Sequence, residues 1–159
     1  MGEQPVETSE GQANRGSVVL RTGTINDIPD ICRLFTEQLF REPNLPLIED
    51  ALRSYPSVVA YVGEKLVGFA YCGYMAPDLI ELMNITIHSD YRSRGLGTEI
   101  LEFLDAEAVK KYAAIMLTNS TLYSADGHKK PATNFYLRNG YELVASTGGT
   151  NMFWKLLAK

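Results

Sequence analysis

The stretch Ile80 to Thr98, IELMNITIHSDYRSRGLGT, is an apolar strand, a short basic loop and two glycines that open a helix. No other feature constrains this chain as strongly, because the arrangement builds a cradle for a pyrophosphate. Arg92 and Arg94 bring positive charge on either side of Ser93. Gly95 and Gly97 let the backbone approach a ligand with no Cβ in the way. The free N–H groups at the start of the helix, around Leu96 and Thr98, then face the anion, aided by the helix dipole. Leu96, Ile100, Leu104 and Ala108 recur at helical spacing, with Leu101 and Val109 beside them, so the helix is expected to run to about Tyr112.

Two common phosphate motifs can be eliminated. A P-loop requires Lys-Ser or Lys-Thr after its last glycine, and Thr98-Glu99 stands here. A dinucleotide fingerprint needs a third glycine where this chain has Ile100, and an acid further on where it has Leu117, Thr118 and Asn119. It also runs its strand straight into the first glycine, whereas a loop separates Ile87 from Gly95.

What fits is Arg/Gln-x-x-Gly-x-Gly/Ala, here Arg92-Ser93-Arg94-Gly95-Leu96-Gly97. It resembles the coenzyme A pyrophosphate loop of the GNAT superfamily of acyl-CoA-dependent N-acyltransferases. The order of features carries the resemblance. His88 to Arg92 precedes the loop, and Ala132-Thr133-Asn134-Phe135-Tyr136-Leu137-Arg138-Asn139-Gly140-Tyr141 follows as a helix with Phe-Tyr closed by Gly-aromatic. The likeness covers roughly Val18 to Leu157 and leans toward small-molecule amine acetyltransferases of the aminoalkylphosphonate and aminoglycoside type.

The resemblance implies acetyl-CoA as cosubstrate, a primary amine as acceptor and direct attack through a tetrahedral intermediate. It implies coenzyme contacts from the backbone of Ile85, Thr86 and Ile87, from Arg92 to Thr98, from Phe135, and from Asn119 or Lys129. Lys129 stands where many relatives have Asn, and the stretch Asn119 to Gly127 is longer than usual, so Asn119 is the substitute donor. Tyr136 would sit beside the coenzyme sulfur and protonate the departing thiolate, whose thiol pKa is ordinarily about 8.5. By spacing it shares a helix face with Ala132, Phe135 and Asn139 and points inward; a core tyrosine bonded to a carbonyl is the plainer account.

Glu81 is the candidate base. Strand alternation places it on one face with Met83, Ile85 and Ile87, where apolar company would raise its pKa. Asp78 and Glu64 lie close to turns. His88 reads as loop structure, and His128 with Lys129 and Lys130 reads as a solvated basic turn. The substrate walls are expected from Phe40 to Ser54 and Ser146 to Asn151. An acyl-CoA-sensing module without turnover, and a protein or peptide N-acetyltransferase, remain alternatives.

The remaining elements follow from pattern. Val18–Leu20 starts a strand, and Thr24 with Asp27 forms a capping box for a helix from Ile25 to Phe40. A shorter helix is expected from Leu47 to Ser54, beyond Pro43 and Pro46. Val58–Val62 and Leu66–Tyr74 make a hairpin through Gly63-Glu64. Strands Ile80–Ile87 and Ala114–Thr118, a helix Pro131–Asn139, and strands Tyr141–Ala145 and Met152–Leu157 complete the order. The expected fold is α/β (α+β): a mixed, twisted central sheet with helices on both faces.

One domain of residues 17–159 behind a polar, mobile segment 1–16 suits a chain of 159 residues. The opening residues lack the apolar core of a secretory signal, and no apolar run is long enough for a membrane span, so a cytoplasmic protein is expected. Cys32 and Cys72 read as reduced, buried thiols with no metal-type spacing, and no metal is expected. The net charge of −4 argues against a nucleic-acid partner and is compatible with a cationic substrate. A homodimer is left open.

Overall fold

The computed structural model describes residues 17–121 and 132–157. In chain order these form β1 (Val18–Arg21), a 3-10 turn (Ile25–Asp27), α1 (Ile28–Leu39), α2 (Leu45–Ser54), β2 (Ser57–Val62), β3 (Lys65–Ala76) and β4 (Leu79–Ile87). A second 3-10 turn (Ser89–Tyr91) leads to α3 (Leu96–Ala108), β5 (Ala114–Ser120), α4 (Thr133–Arg138), β6 (Glu142–Ser146) and β7 (Thr150–Leu156). The seven strands make one mixed sheet in the order β1-β2-β3-β4-β5-β7-β6. The expectations for the N-terminal segment 1–16, Lys129, His128 and the Pro131 helix start lie outside the described residues.

The sheet carries a core on each face. On one, Ile100, Leu101, Leu104 and Ala108 of α3 pack on Val58, Ala70, Ile80, Leu82 and Ile115. On the other, Ile31, Leu34 and Phe35 of α1 and Ile48 and Leu52 of α2 pack on Val59, Phe69 and Tyr71. Each such fully buried aliphatic side chain contributes about 1.5–3 kcal/mol. Thr24 and Asp27 form the expected capping box, and Asp27 also takes two bonds from Arg21 (2.8 and 2.9 Å) and one from the Tyr61 hydroxyl (2.9 Å).

The expected helix from Ile25 opens as the 3-10 turn, β3 runs on to Ala76 and β7 starts at Thr150, and two further boundaries differ from expectation for physical reasons. α2 begins at Leu45, capped by Asn44, whose side chain accepts from the Leu47 N–H at 3.2 Å. Pro46 therefore lies inside the first turn, where its missing N–H costs no bond. α3 ends at Ala108, and the chain to Tyr112 continues as turns.

One irregularity positions everything that follows. The β3–β4 register slips between Tyr71/Asn84 and Cys72/Leu82, leaving Met83 as the extra residue of a bulge. The Met83 side chain fills the space over Gly73, where a Cβ would lie 2.5 Å from its sulfur. Ile80 and Leu82 belong to the α3-side core, Met83 packs on the α1/α2 side, and Ile85 and Ile87 return to the α3 side. Beyond the bulge β4 also parts from β5. Their parallel pairing covers Leu79/Ala114, Ile80/Ile115 and Glu81/Met116 and then stops.

Candidate active site

The parting of β4 and β5 opens a cleft of about 1090 Å³ that passes through the sheet. Its walls are Leu82–Ile87 of β4 and Leu117–Ser120 of β5. Gly95, Gly97 and Thr98 line its α3 side, Phe135 and Tyr136 of α4 close it, and Leu39, Phe40 and Arg41 stand on the α1/α2 side.

The β4 edge facing β5 is open in a defined pattern. The His88 N–H bonds the Val67 carbonyl of β3 at 2.8 Å, and residues two apart in a strand direct their backbone polar groups alike. Thr86, paired with Phe69, therefore spends its N–H on β3, whereas Ile85 and Ile87 direct theirs toward the cleft. Among the described residues no strand partners them there. The Thr86 side chain is buried and donates to the Asn84 side chain at 2.6 Å.

The basic loop is wound to present its backbone. Ser93 (φ 61) and Gly95 (φ 85) are both left-handed, Gly95 being the N-cap of α3. Phe40 (φ 58) is the other left-handed non-glycine among the described residues, and both it and Ser93 line the cleft. Strained backbone concentrated at one cavity is a mark of function. Arg92 lines the cleft but is also a brace: its Nε donates to the Ile87 carbonyl (3.0 Å) and Nη2 to Gln38 (2.7 Å). Arg94 is exposed and stacks over Tyr91, 5.7 Å from its centroid, outside the cleft lining. His88 Nδ1 accepts the Asp90 N–H at 3.0 Å, the structural role read from the sequence.

Gly97 and Phe135 join the two motifs directly. A Cβ on Gly97 would lie 2.9 Å from the Phe135 ring. The next residue, Tyr136, is clasped by Phe135, Tyr141 and Phe153, with ring centroids 5.3, 5.8 and 5.6 Å away. The carbonyl bond of an ordinary core tyrosine is absent: its hydroxyl has no hydrogen-bond partner among the described residues. Burial pushes the phenol up to about 12, so it stays protonated at neutral pH. Asn119 lines the cleft with a buried Oδ1 that also lacks a partner among the described residues.

For Glu81 the expected strand face is wrong. It pairs with Gly73 and shares the α1/α2 face with Met83, but the bulge turns Ile85 and Ile87 to the opposite side. Asn84 and Thr86 follow it on that face instead. Glu81 does not line the cleft, and burial holds its carboxyl above the usual glutamate value. Phe40, Arg41, Gly149 and Thr150 line the cleft and belong to the two segments expected as substrate walls; sequence reasoning missed Leu39, Asn84 and Thr118, none of which carries a local motif. Among the described residues no three His, Cys, Asp or Glu side chains cluster as a metal site would require, and no helix is long and apolar enough to cross a membrane.

Comparison with known proteins gives the same architecture. An acetyltransferase (GNAT) domain model matches residues 53–143, more than half of the chain. Ard1 from Thermoplasma volcanium superposes with a TM-score of 0.75 and 17% identity, covering 90% of this chain and 99% of that one. An aminoglycoside 6′-N-acetyltransferase complexed with coenzyme A gives 0.76 and 16%, covering 89% and 98%. The ribosomal-protein-S18-alanine N-acetyltransferase from Escherichia coli gives 0.73 and 18%, covering 89% and 95%. With a strand-loop-helix cradle, a sheet split at β4 and β5, and a domain match spanning both, this chain belongs to the GNAT acetyltransferase family.

Proposed function

We propose that the chain is an N-acetyltransferase that moves an acetyl group from acetyl-CoA to the primary amine of a small molecule. The observation that carries this reading is the protonated Tyr136 hydroxyl, without a partner among the described residues, in a cleft whose β4 edge is open. The residues fit a coenzyme. Ile85 and Ile87 offer backbone groups to the amides of a pantetheine arm, and the Asn119 Oδ1, without a partner among the described residues, can accept from one. The N–H groups of the turn through Gly95 into α3 suit a pyrophosphate, as do Ser93 and Thr98.

In the proposed reaction the neutral amine attacks the thioester carbonyl, a C–N bond forms and the C–S bond breaks. The Ile85 or Ile87 N–H stabilises the oxyanion. Tyr136 donates to the sulfur as charge builds on it. A phenol near 12 is a weak acid for a thiol ordinarily near 8.5, but burial disfavours both anions and narrows the gap. The amine proton passes to Glu81 through water, since Glu81 stands back from the cleft wall. Phe40, 77% exposed on the α1/α2 side of the cleft lining, adds a bulky ring to the acceptor wall, which favours a small acceptor.

Tyr136→Phe tests the reading, because it keeps the packing and removes only the phenolic proton. We expect kcat to fall by roughly 100-fold or more with acetyl-CoA binding nearly unchanged. Near-wild-type turnover across pH 6 to 9 would return Tyr136 to a packing role.

A further inference from the structure

The cleft has a sign opposite to that of the whole chain. The net charge is −4, yet the charged side chains lining the cleft among the described residues are Arg41, Arg92 and Arg138, with no Asp or Glu. Arg92 is braced against Ile87 and Gln38 at the phosphate loop, and Arg138 belongs to α4 beside Phe135, so both lie at the coenzyme side.

Arg41 is different. Its guanidinium carbon is 5.0 Å from the centroid of Phe35, a core residue of the α1/α2 face, and its charge reaches the buried Tyr71 hydroxyl on the same face. It therefore stands on the α1/α2 side of the cleft, whereas Gly95, Gly97 and Thr98 line the α3 side. Among the described residues it has no hydrogen bond or ion pair. Glu42 follows it in sequence but does not line the cleft, and its charge bears on Cys32 instead. A guanidinium stacked on an aromatic face keeps its N–H fork aimed outward, the geometry that binds a carboxylate in two places.

We infer that the acceptor is an amine carrying an anionic group, a carboxylate or its equivalent, that Arg41 binds at the α1/α2-side mouth while the amine is turned toward Tyr136. This rests on the acetyltransferase reading above and names the class of its substrate. It also sets aside the cationic acceptor that net charge alone suggested, since a polycation would meet three arginines and no described carboxylate. The overall charge governs long-range behaviour, but a cleft focuses the field of the groups lining it.

The test uses the full chain with saturating acetyl-CoA and three matched amine series of two to six carbons: amino carboxylates, alkylamines and diamines. We expect the amino carboxylates to show the highest kcat/KM. Arg41→Gln should lower kcat/KM for them by roughly 10- to 100-fold, the range for a charged hydrogen bond, with at least a tenfold smaller effect on the alkylamine of equal length. Arg41→Lys, which keeps the charge and loses the fork, should fall between. Turnover with no preference for carboxylates, a preference for diamines, or an equal loss in every series on Arg41→Gln would overturn the anion assignment and leave the acetyltransferase standing. Absence of turnover with every amine would overturn the acetyltransferase reading itself.

Discussion

Gly97 of the phosphate loop lies directly against the ring of Phe135, with 2.9 Å between the ring and the place a Cβ would take. The second glycine is thus required twice, once for the approach of a ligand and once for the seat of α4. Gly97→Val should weaken acetyl-CoA binding at least tenfold and destabilise the fold by about 1–3 kcal/mol, as overpacking does. Combining it with Phe135→Leu should recover part of the stability loss. Thermal melts and calorimetry on the double-mutant cycle measure this coupling, and strict additivity would contradict the contact.

The direction of the backbone groups in β4 predicts an exchange pattern. Without ligand, the Ile85 and Ile87 amides should exchange quickly with solvent, while Thr86, bonded into β3, is slow. Acetyl-CoA should protect Ile85 and Ile87 and leave Thr86 almost as it was. Residue-resolved hydrogen exchange reads this directly. Equal protection of all three in the free protein would mean that the edge is not open.

Glu81 links activity and stability through pH. Burial raises its folded pKa above the ordinary value of 4.5, so the folded state holds its proton more tightly than the unfolded chain. Stability from this group is therefore fullest below 4.5 and is lost as pH rises through the folded pKa. Glu81→Gln should melt higher than wild type at pH 7, and the difference should close below the ordinary pKa. Its turnover should lose the rising limb of the pH profile. A variant less stable than wild type at pH 7 would show that the carboxylate is held by favourable partners instead.

Asp27 behaves in the reverse sense. Burial pushes its pKa up, but the hydrogen bonds from Arg21, the Thr24 N–H and Tyr61 outweigh that and hold it below the usual carboxylate range. Its contribution is present above the ordinary pKa and lost as pH falls through the folded one. Asp27→Ala should cost about 2–4 kcal/mol by leaving these donors unmatched, with no change in acceptor preference. Denaturant melts at pH 7 and pH 3 check both the size and the direction.

The strand-loop-helix unit, the capping box at Thr24 and the order of the elements were legible because each rests on local chemistry: glycine's missing Cβ, a side-chain cap, a hydrophobic period. The bulge at Met83 was not. It adds one residue with no composition cue, and what permits it is Gly73 on the neighbouring strand, which no reading along β4 alone could supply. Every side chain after it changes face, which is why Glu81 was placed with Ile85 and Ile87. The inward brace of Arg92 was hidden for a related reason: its partner Gln38 comes from α1, far away in sequence. Arg41 and Phe40 sit past a helix end, in a stretch that sequence assigns to the substrate wall without giving the wall its shape.

The three residue pairs that join β4 to β5 make a short seam for a seven-strand sheet. Four strands on one side and three on the other are each well laddered within themselves, but share little backbone across the join. Whatever lies along the open β4 edge serves as mortar between two plates. Under the reading proposed here that material is a reactant, so the protein would be stiffest when loaded and would slacken each time its product leaves. At a hundredfold excess over Kd such a ligand would add about 2.7 kcal/mol to the native state by mass action. The supply of one reactant would then set how firmly this fold holds together as well as how fast it works.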